Sequence, residues 1–320
     1  MLTSEINHWI IQQLEAQQLS LTAPVKIIHK RAWSIVAQVP TTSGIFYLKA
    51  TTPELRYEVG LTAILSKMEF PVPKIVAVDE ANGWLLMHDG GPSLRSILQE
   101  TQDISLWETA VSQYVHMQRQ LIDKTDMLLQ TGLFDRRLSE LPRLYEELLQ
   151  DKEAMLIGQE NGLSEDEFQA LLNHIPTFKM LCQQLADFGI PETLHHDDLH
   201  DNNIFVRDDQ LTIADWGETC VAHPFFSMII VLRISEYIFE FTPHHPALNN
   251  IKDVYLRHWI AFGTLKQLND AFRLAQLVGT INRALTWHHL LAHMKEPERM
   301  EEAGSVLGWL NEFLELVNAS

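Results

Sequence analysis

His196-Asp197-Asp198-Leu199-His200-Asp201-Asn202-Asn203, followed by Asp215-Trp216-Gly217, sets a carboxylate, a carboxamide and a second carboxylate in a fixed order. Asn203 lies five positions after Asp198, and Asp215 lies twelve after Asn203. Ile204-Phe205-Val206 and Leu211-Thr212-Ile213-Ala214 flank a polar turn, Arg207 to Gln210, and that pattern predicts a β-hairpin. Such a hairpin holds Asn203 and Asp215 near one point, with Asp198 on the loop that feeds it. Phosphoryl transfer from a nucleotide uses this set. One Asp orients the acceptor and takes its proton, while an Asn and another Asp hold Mg²⁺ against the phosphates.

The elements that must position these groups are legible in outline. Ile6, Trp9, Ile10 and Leu14 share one face of a helix predicted within Met1 to Ser20. Five β-like stretches follow: Lys26 to His29, Ser34 to Val39, Ile45 to Leu48, Ile75 to Val78 and Trp84 to Met87. A helical run, Leu55 to Met68, separates the third from the fourth, and Pro71-Val72-Pro73 ends it. Asp89-Gly90-Gly91-Pro92 is a breaker cluster, read as a hinge between residues 1–88 and residues 89–320. Beyond it the pattern is mainly helical. Ser93 to Thr101 (Ser93 as cap), Leu106 to Leu129, Leu138 to Leu156 and Glu165 to Phe188 precede the hairpin. Phe226 to Phe241, Ile251 to Phe262, Thr264 to Leu277, Gly279 to Met294 and Pro297 to Leu316 follow it. The expected class is α+β.

Composition narrows the partners. A chain of 320 residues, 46% hydrophobic and 21% charged, is long enough for a substantial core and has a soluble protein's balance. Its net charge of −18 argues against a nucleic-acid partner, which needs a basic face, and against an anionic membrane surface. No apolar run reaches membrane-spanning length, and the N-terminus lacks the pattern of a signal peptide. With two cysteines, Cys182 and Cys220, no disulfide framework is implied and a cytoplasmic setting is expected. Between Lys26 and Lys74, seven basic residues meet three acidic ones, so the remainder carries all the acid excess. A basic stretch suits nucleotide phosphates. An acidic remainder suits a cationic acceptor, or serves solubility alone.

The motif order resembles the protein-kinase signature of a catalytic-loop Asp, an Asn five positions later, and then Asp-Phe-Gly. Its wording, with His two residues before the Asp, Leu-His after it and Trp after the metal-binding Asp, is closer to the aminoglycoside phosphotransferase and choline kinase group. The resemblance implies a two-lobed protein-kinase-like fold and transfer of the γ-phosphoryl of ATP, with Mg²⁺, to a hydroxyl of a small polar, cationic or neutral molecule. It implies Asp198 as the catalytic Asp, His196 as the loop histidine that orients the backbone, and His200 where protein kinases place a Lys. Asn203 and Asp215 would hold the metal. Lys49, ending the third strand, would contact the α and β phosphates with Glu58 as its partner and Glu54 as the alternative. Met87, His88 and Asp89 would offer backbone groups to the adenine.

Several positions depart from the pattern or carry a second reading. Lys30-Arg31-Ala32-Trp33-Ser34 has no Gly-rich loop; it resembles an Arg-Pro-Trp-Ser element of bacterial relatives, and Ser34 would donate to phosphate or cap a turn. Asp197 stands where the family commonly has Gly and is expected to face solvent, although burial of both Asp197 and Asp198 would raise one pKa. Ser227 stands where an Asp usually braces the catalytic loop. Glu218 approaches a second metal or faces water. His288, His289 and His293 belong to a core or inter-helix surface rather than to a zinc site. A silent nucleotide-binding module and a protein kinase are the rival functions. The short link from Gly217 to the helix near Phe226 leaves no peptide platform of the protein-kinase kind.

Overall fold

The structure, a computed structural model, describes residues 2–159, 162–242 and 245–319. It divides into two compact units, Met1–Ile97 with Asn202–Gly217, and Leu98–Asp201 with Glu218–Ser320.

In the first unit, α1 (Ser4–Ala16) starts at Thr3, whose hydroxyl accepts the Ile6 N–H at 3.3 Å. The strands are β1 (Lys26–Lys30), β2 (Ser34–Thr41), β3 (Gly44–Thr51), β4 (Ile75–Asp79) and β5 (Trp84–His88), and α2 (Tyr57–Lys67) lies between β3 and β4. Among the described residues they form one sheet in the order β1-β2-β3-β5-β4, with antiparallel pairing throughout. Ile6, Trp9, Ile10 and Leu14 of α1 pack with Ala37 and Val39 of β2 and Phe46, Leu48 and Ala50 of β3. Because a strand alternates its side chains, this puts Lys49 on the opposite face of β3. After β5 the chain runs into α3 (Leu94–Thr101), where the Ser96 N–H donates to the Ser93 hydroxyl at 3.3 Å.

The predicted hairpin is β8 (Ile204–Arg207) and β9 (Gln210–Ile213), joined through Asp208 and Asp209, both at positive φ as a tight two-residue turn requires. It is anchored twice within this unit. The Ile213 N–H donates to Pro71 O at 2.7 Å, and the Val206 N–H donates to Pro92 O at 3.0 Å. The approach at Gly91 demands glycine: φ is +97°, and a Cβ there would fall 2.4 Å from Val206 O. The cluster Asp89–Pro92 thus packs on β8, with Arg207 on Asp89 at 2.7 Å. Read from sequence as a hinge at 88/89, it lies inside the first unit together with the hairpin.

The second unit is mainly helical: α4 (Ser105–Gln120), α5 (Thr125–Gln130), α6 (Leu141–Gln150), α7 (Glu165–Asn173), α8 (Ile175–Ala186), α9 (Met228–Ile238), α10 (Pro246–Arg257), α11 (Leu265–Ala292), α12 (Glu298–Glu302) and α13 (Gly304–Ala319). A small sheet, β6 (Phe134–Asp135), β10 (Cys220–Ala222) and β7 (Thr193–His195), sits among them in the order β6-β10-β7. Several helical expectations change, among them Pro297 to Leu316, which is parted at Ala303 into α12 and α13. Glu165 to Phe188 splits into α7 and α8, because Pro176 has no N–H to continue a helix and takes a first-turn position. Leu106 to Leu129 is interrupted by a 3-10 turn at Ile122–Lys124. Conversely, the two helices expected on either side of Val278 are one helix, α11, of 28 residues. Gly279 does not end it; a Cβ there would lie 2.4 Å from Ile229 Cδ1 and 3.0 Å from Phe226 Cδ1, so the glycine admits close packing.

Candidate active site

The alternation of β3 and the first turn of α2 bring Lys49 and Glu58 together. Lys49 Nζ lies 2.6 Å from Glu58 Oε1 and 2.6 Å from Asp215 Oδ1. Lys49 and Glu58 are buried, whereas the Asp215 side chain is 49% exposed. Glu58 Oε1 also accepts the Trp216 N–H at 3.1 Å, and the Tyr57 hydroxyl donates to Gly217 O at 2.5 Å. Trp216 is buried and its indole N–H donates to Ile213 O at 3.0 Å. Asp215 itself holds φ = +65°, a costly conformation for a non-glycine residue, between these anchors. Burial disfavours a charged Lys49, but Asp215 and Glu58 outweigh it and hold the ammonium pKa above its ordinary value. Burial pushes the Glu58 carboxyl up to about 6 against the pull of Lys49.

Asn203 precedes β8 and Asp215 follows β9, and the Ala214 N–H donates to Asn203 O at 2.8 Å. The hairpin register therefore brings an amide and a carboxylate to one end. Both donate oxygen. A hard cation such as Mg²⁺ takes oxygen ligands, commonly one or two carboxylates with substrate phosphates supplying others. The donor set fits that ion.

The second unit holds the other motif residues. His196 is buried; its N–H donates to the Tyr114 hydroxyl at 2.8 Å, and its Nδ1 accepts the Asp198 N–H at 3.2 Å. Asp198 Oδ2 lies 3.3 Å from His200 Nε2. Burial opposes ionisation of Asp198, but His200 and Arg283 bring its pKa below the usual carboxylate value. Burial likewise opposes the His200 imidazolium, and Asp198 and Asp201 push its pKa up to about 9.

Asp197 does not face solvent. It is buried, with Oδ1 2.8 Å from His195 Nε2 and Oδ2 3.4 Å from Arg283 Nη1 and 3.9 Å from Arg136 Nη1. The Asn282 amide donates to Oδ1 at 3.1 Å and the Thr286 hydroxyl bonds Oδ2. Burial alone would raise this carboxyl, but Arg283, His195 and Arg136 hold it well below the carboxylate range. Neither acid of the pair is raised, because Arg283 serves both. Glu218 accepts from Arg283 Nη1 at 2.9 Å. Ser227 braces the loop with help: its hydroxyl lies 2.7 Å from the Tyr114 hydroxyl and 2.6 Å from His195 Nδ1. The buried Gln118 amide donates to Leu194 O at 3.0 Å and Pro224 O at 3.3 Å. Helix α4 thereby completes the network that Ser227 begins.

Ser34 opens β2, is buried, and closes a turn through its carbonyl, which accepts the Arg31 N–H at 2.8 Å. Met87 and His88 end β5, opposite Tyr47 and Phe46 of β3. The His88 N–H donates to Lys74 O at 2.9 Å, so that amide is committed within the chain. His288 pairs with Asp151 at 2.8 Å, and His289 meets Phe134 edge-on with ring centroids 4.5 Å apart. Arg136, Arg283, Tyr57 and Tyr114 escaped the sequence reading. One signal existed for Arg283: no other Asp, Glu, Lys or Arg lies between Arg273 and Lys295, and a lone charge in so long an uncharged stretch calls for a buried partner.

A family model for APH, the phosphotransferase enzyme family, matches residues 36–261. The chain belongs to this family. Among solved structures, an ethanolamine kinase from Plasmodium vivax aligns at 16% identity over 97% of this chain and 87% of that one, with a TM-score of 0.62. A choline kinase from Cryptosporidium parvum Iowa II aligns at 12% identity over 99% and 96%, with a TM-score of 0.65. A GDP complex of an aminoglycoside 2'-phosphotransferase aligns at 14% identity over 99% and 97%, with a TM-score of 0.59. At these identities the likeness establishes the fold, which is that of the protein-kinase-like phosphotransferases. No curated protein matches the sequence. Among the described residues of this phosphotransferase, no helix is long and apolar enough to cross a membrane.

Proposed function

We propose that this phosphotransferase moves the γ-phosphoryl group of ATP to a hydroxyl of a small polar molecule. The observation that carries the reading is Lys49 held at 2.6 Å between Glu58 and Asp215. In this reading Lys49, kept charged by two carboxylates, holds the α and β phosphates, and Glu58 fixes its direction. Asn203 and Asp215 hold Mg²⁺, which when bound neutralises charge on the phosphates. Asp198 is ionised and accepts the acceptor proton, with its peptide oriented by His196. His200, cationic at neutral pH, balances charge beside it. Positioning and charge stabilisation carry the rate.

A small acceptor is favoured over a protein. Only Glu218–His223 lie between Gly217 and the 3-10 turn Pro224–Ser227 that leads into α9, and Cys220–Ala222 of these are committed to β10. The kinase neighbours act on choline, ethanolamine or an aminoglycoside by name, and amino alcohols head the candidates. The test is acceptor-dependent release of ADP from ATP, or of GDP from GTP, across amino alcohols, aminoglycosides and sugars, run beside generic protein substrates. Labelling of proteins with no small-molecule turnover would overturn the reading.

A further inference from the structure

Arg283 arrives at the catalytic loop from α11, a helix without a break, and is 4% exposed. Its Nη1 donates to the Asp197 carbonyl at 2.6 Å and to Glu218 Oε2 at 2.9 Å, and lies 3.4 Å from Asp197 Oδ2. Its Nη2 lies 3.9 Å from Asp198 Oδ1. One planar fork thus meets the peptide before Asp198, the Asp198 carboxylate, and the residue after Asp215-Trp216-Gly217. The Trp309 ring of α13 covers the guanidinium at 5.6 Å, with Arg233 also over that ring at 4.3 Å.

We propose that Arg283 is a positioning residue for phosphoryl transfer, its guanidinium holding the Asp197–Asp198 peptide and the Asp198 carboxylate in the orientation that receives the acceptor hydroxyl. The inference rests on Asp198 as the proton acceptor. Asp197 and Glu218 balance the charge of Arg283 and take its short contacts, and its approach to Asp198 is the longer one. Stability alone does not explain the arginine. Its Nε is buried with no hydrogen-bond partner among the described residues, a destabilising arrangement of the kind kept where geometry matters. Asp197 supplies a buried counter-charge for it. Lysine, a point charge without the fork, cannot serve the same acceptors.

The experiment compares the full chain with Arg283→Lys, Arg283→Met and Asp198→Asn. ADP release from Mg·ATP is measured with ethanolamine, choline, kanamycin, glucose and water alone, and nucleotide binding by calorimetry. Misplacing a reacting group by about 1 Å costs about 100-fold, so kcat should fall about 100-fold in Arg283→Met and about tenfold in Arg283→Lys, with nucleotide affinity unchanged. Arg283→Lys keeps the charge and decides the matter even where Arg283→Met does not fold. Wild-type kcat in Arg283→Lys, or a fall in nucleotide affinity parallel to the fall in kcat, would overturn the inference. Full turnover in Asp198→Asn would instead remove the proposed proton acceptor.

Discussion

Lys49→Met removes the ammonium from between two carboxylates of unequal exposure. Asp215 loses little, because its side chain is 49% exposed and water can solvate it. Glu58 is 2% exposed; its Oε1 keeps the Trp216 N–H, and its Oε2 is buried with no hydrogen-bond partner among the described residues. Removing one partner of a buried ion pair costs about 3–5 kcal/mol. The stranded carboxyl recovers part of this by taking a proton. In the wild type its pKa is already raised from 4.5 to about 6 by burial. A carboxyl with a raised folded pKa favours the folded state when protonated. That contribution is complete below about 4.5 and is lost as pH rises through about 6. Without Lys49 the folded pKa climbs further, and the loss extends to higher pH. The gap between variant and wild type should therefore widen from pH 6 to pH 8 by at most about 2.7 kcal/mol, two pH units at about 1.36 kcal/mol each. Urea unfolding without nucleotide, at pH 6, 7 and 8, measures it. The double variant Lys49→Met/Glu58→Gln has no carboxyl to titrate and should show a flat gap. A gap in Lys49→Met that does not change with pH, or an equal slope in the double variant, would refute the reasoning.

Asp215→Ala should weaken Mg²⁺-dependent nucleotide binding; identical Mg²⁺ titrations would remove Asp215 from the metal set. Gly279→Ala sets a helix-propensity gain of about 1 kcal/mol against overpacking at Ile229 and Phe226 of about 1–3 kcal/mol, so a lower Tm is expected and a higher one counts against the packing argument. His200 has its pKa raised from 6.5 to about 9 by Asp198 and Asp201 after burial is overcome. The stability it contributes, at most about 3 kcal/mol, is present below about 6.5 and lost as pH rises through about 9. His200→Gln should flatten the decline of stability over that range, and parallel curves for variant and wild type would contradict the ion pair.

What the sequence by itself determined is what short-range pattern encodes. Alternation placed the strands of the first sheet, and helical spacing placed the buried face of α1, because a side chain's direction in such elements follows from its position in the repeat. Motif spacing likewise brought Asn203 and Asp215 to one end of a hairpin, since a tight turn fixes register. Helix boundaries were less legible: the pattern reads as two helices parted at Val278, yet Phe226 and Ile229 pack where a Gly279 Cβ would be and one helix runs through. Only the tertiary structure decided the fate of Asp197. A solvent-facing acid and a buried counter-ion look alike in sequence; the difference is made by Arg283, which reaches the Asp197 carbonyl across 86 positions, and by Arg136. Such charges are stable in the interior only with partners, and which partners meet is set by how helices pack rather than by the spacing of residues along one strand or turn.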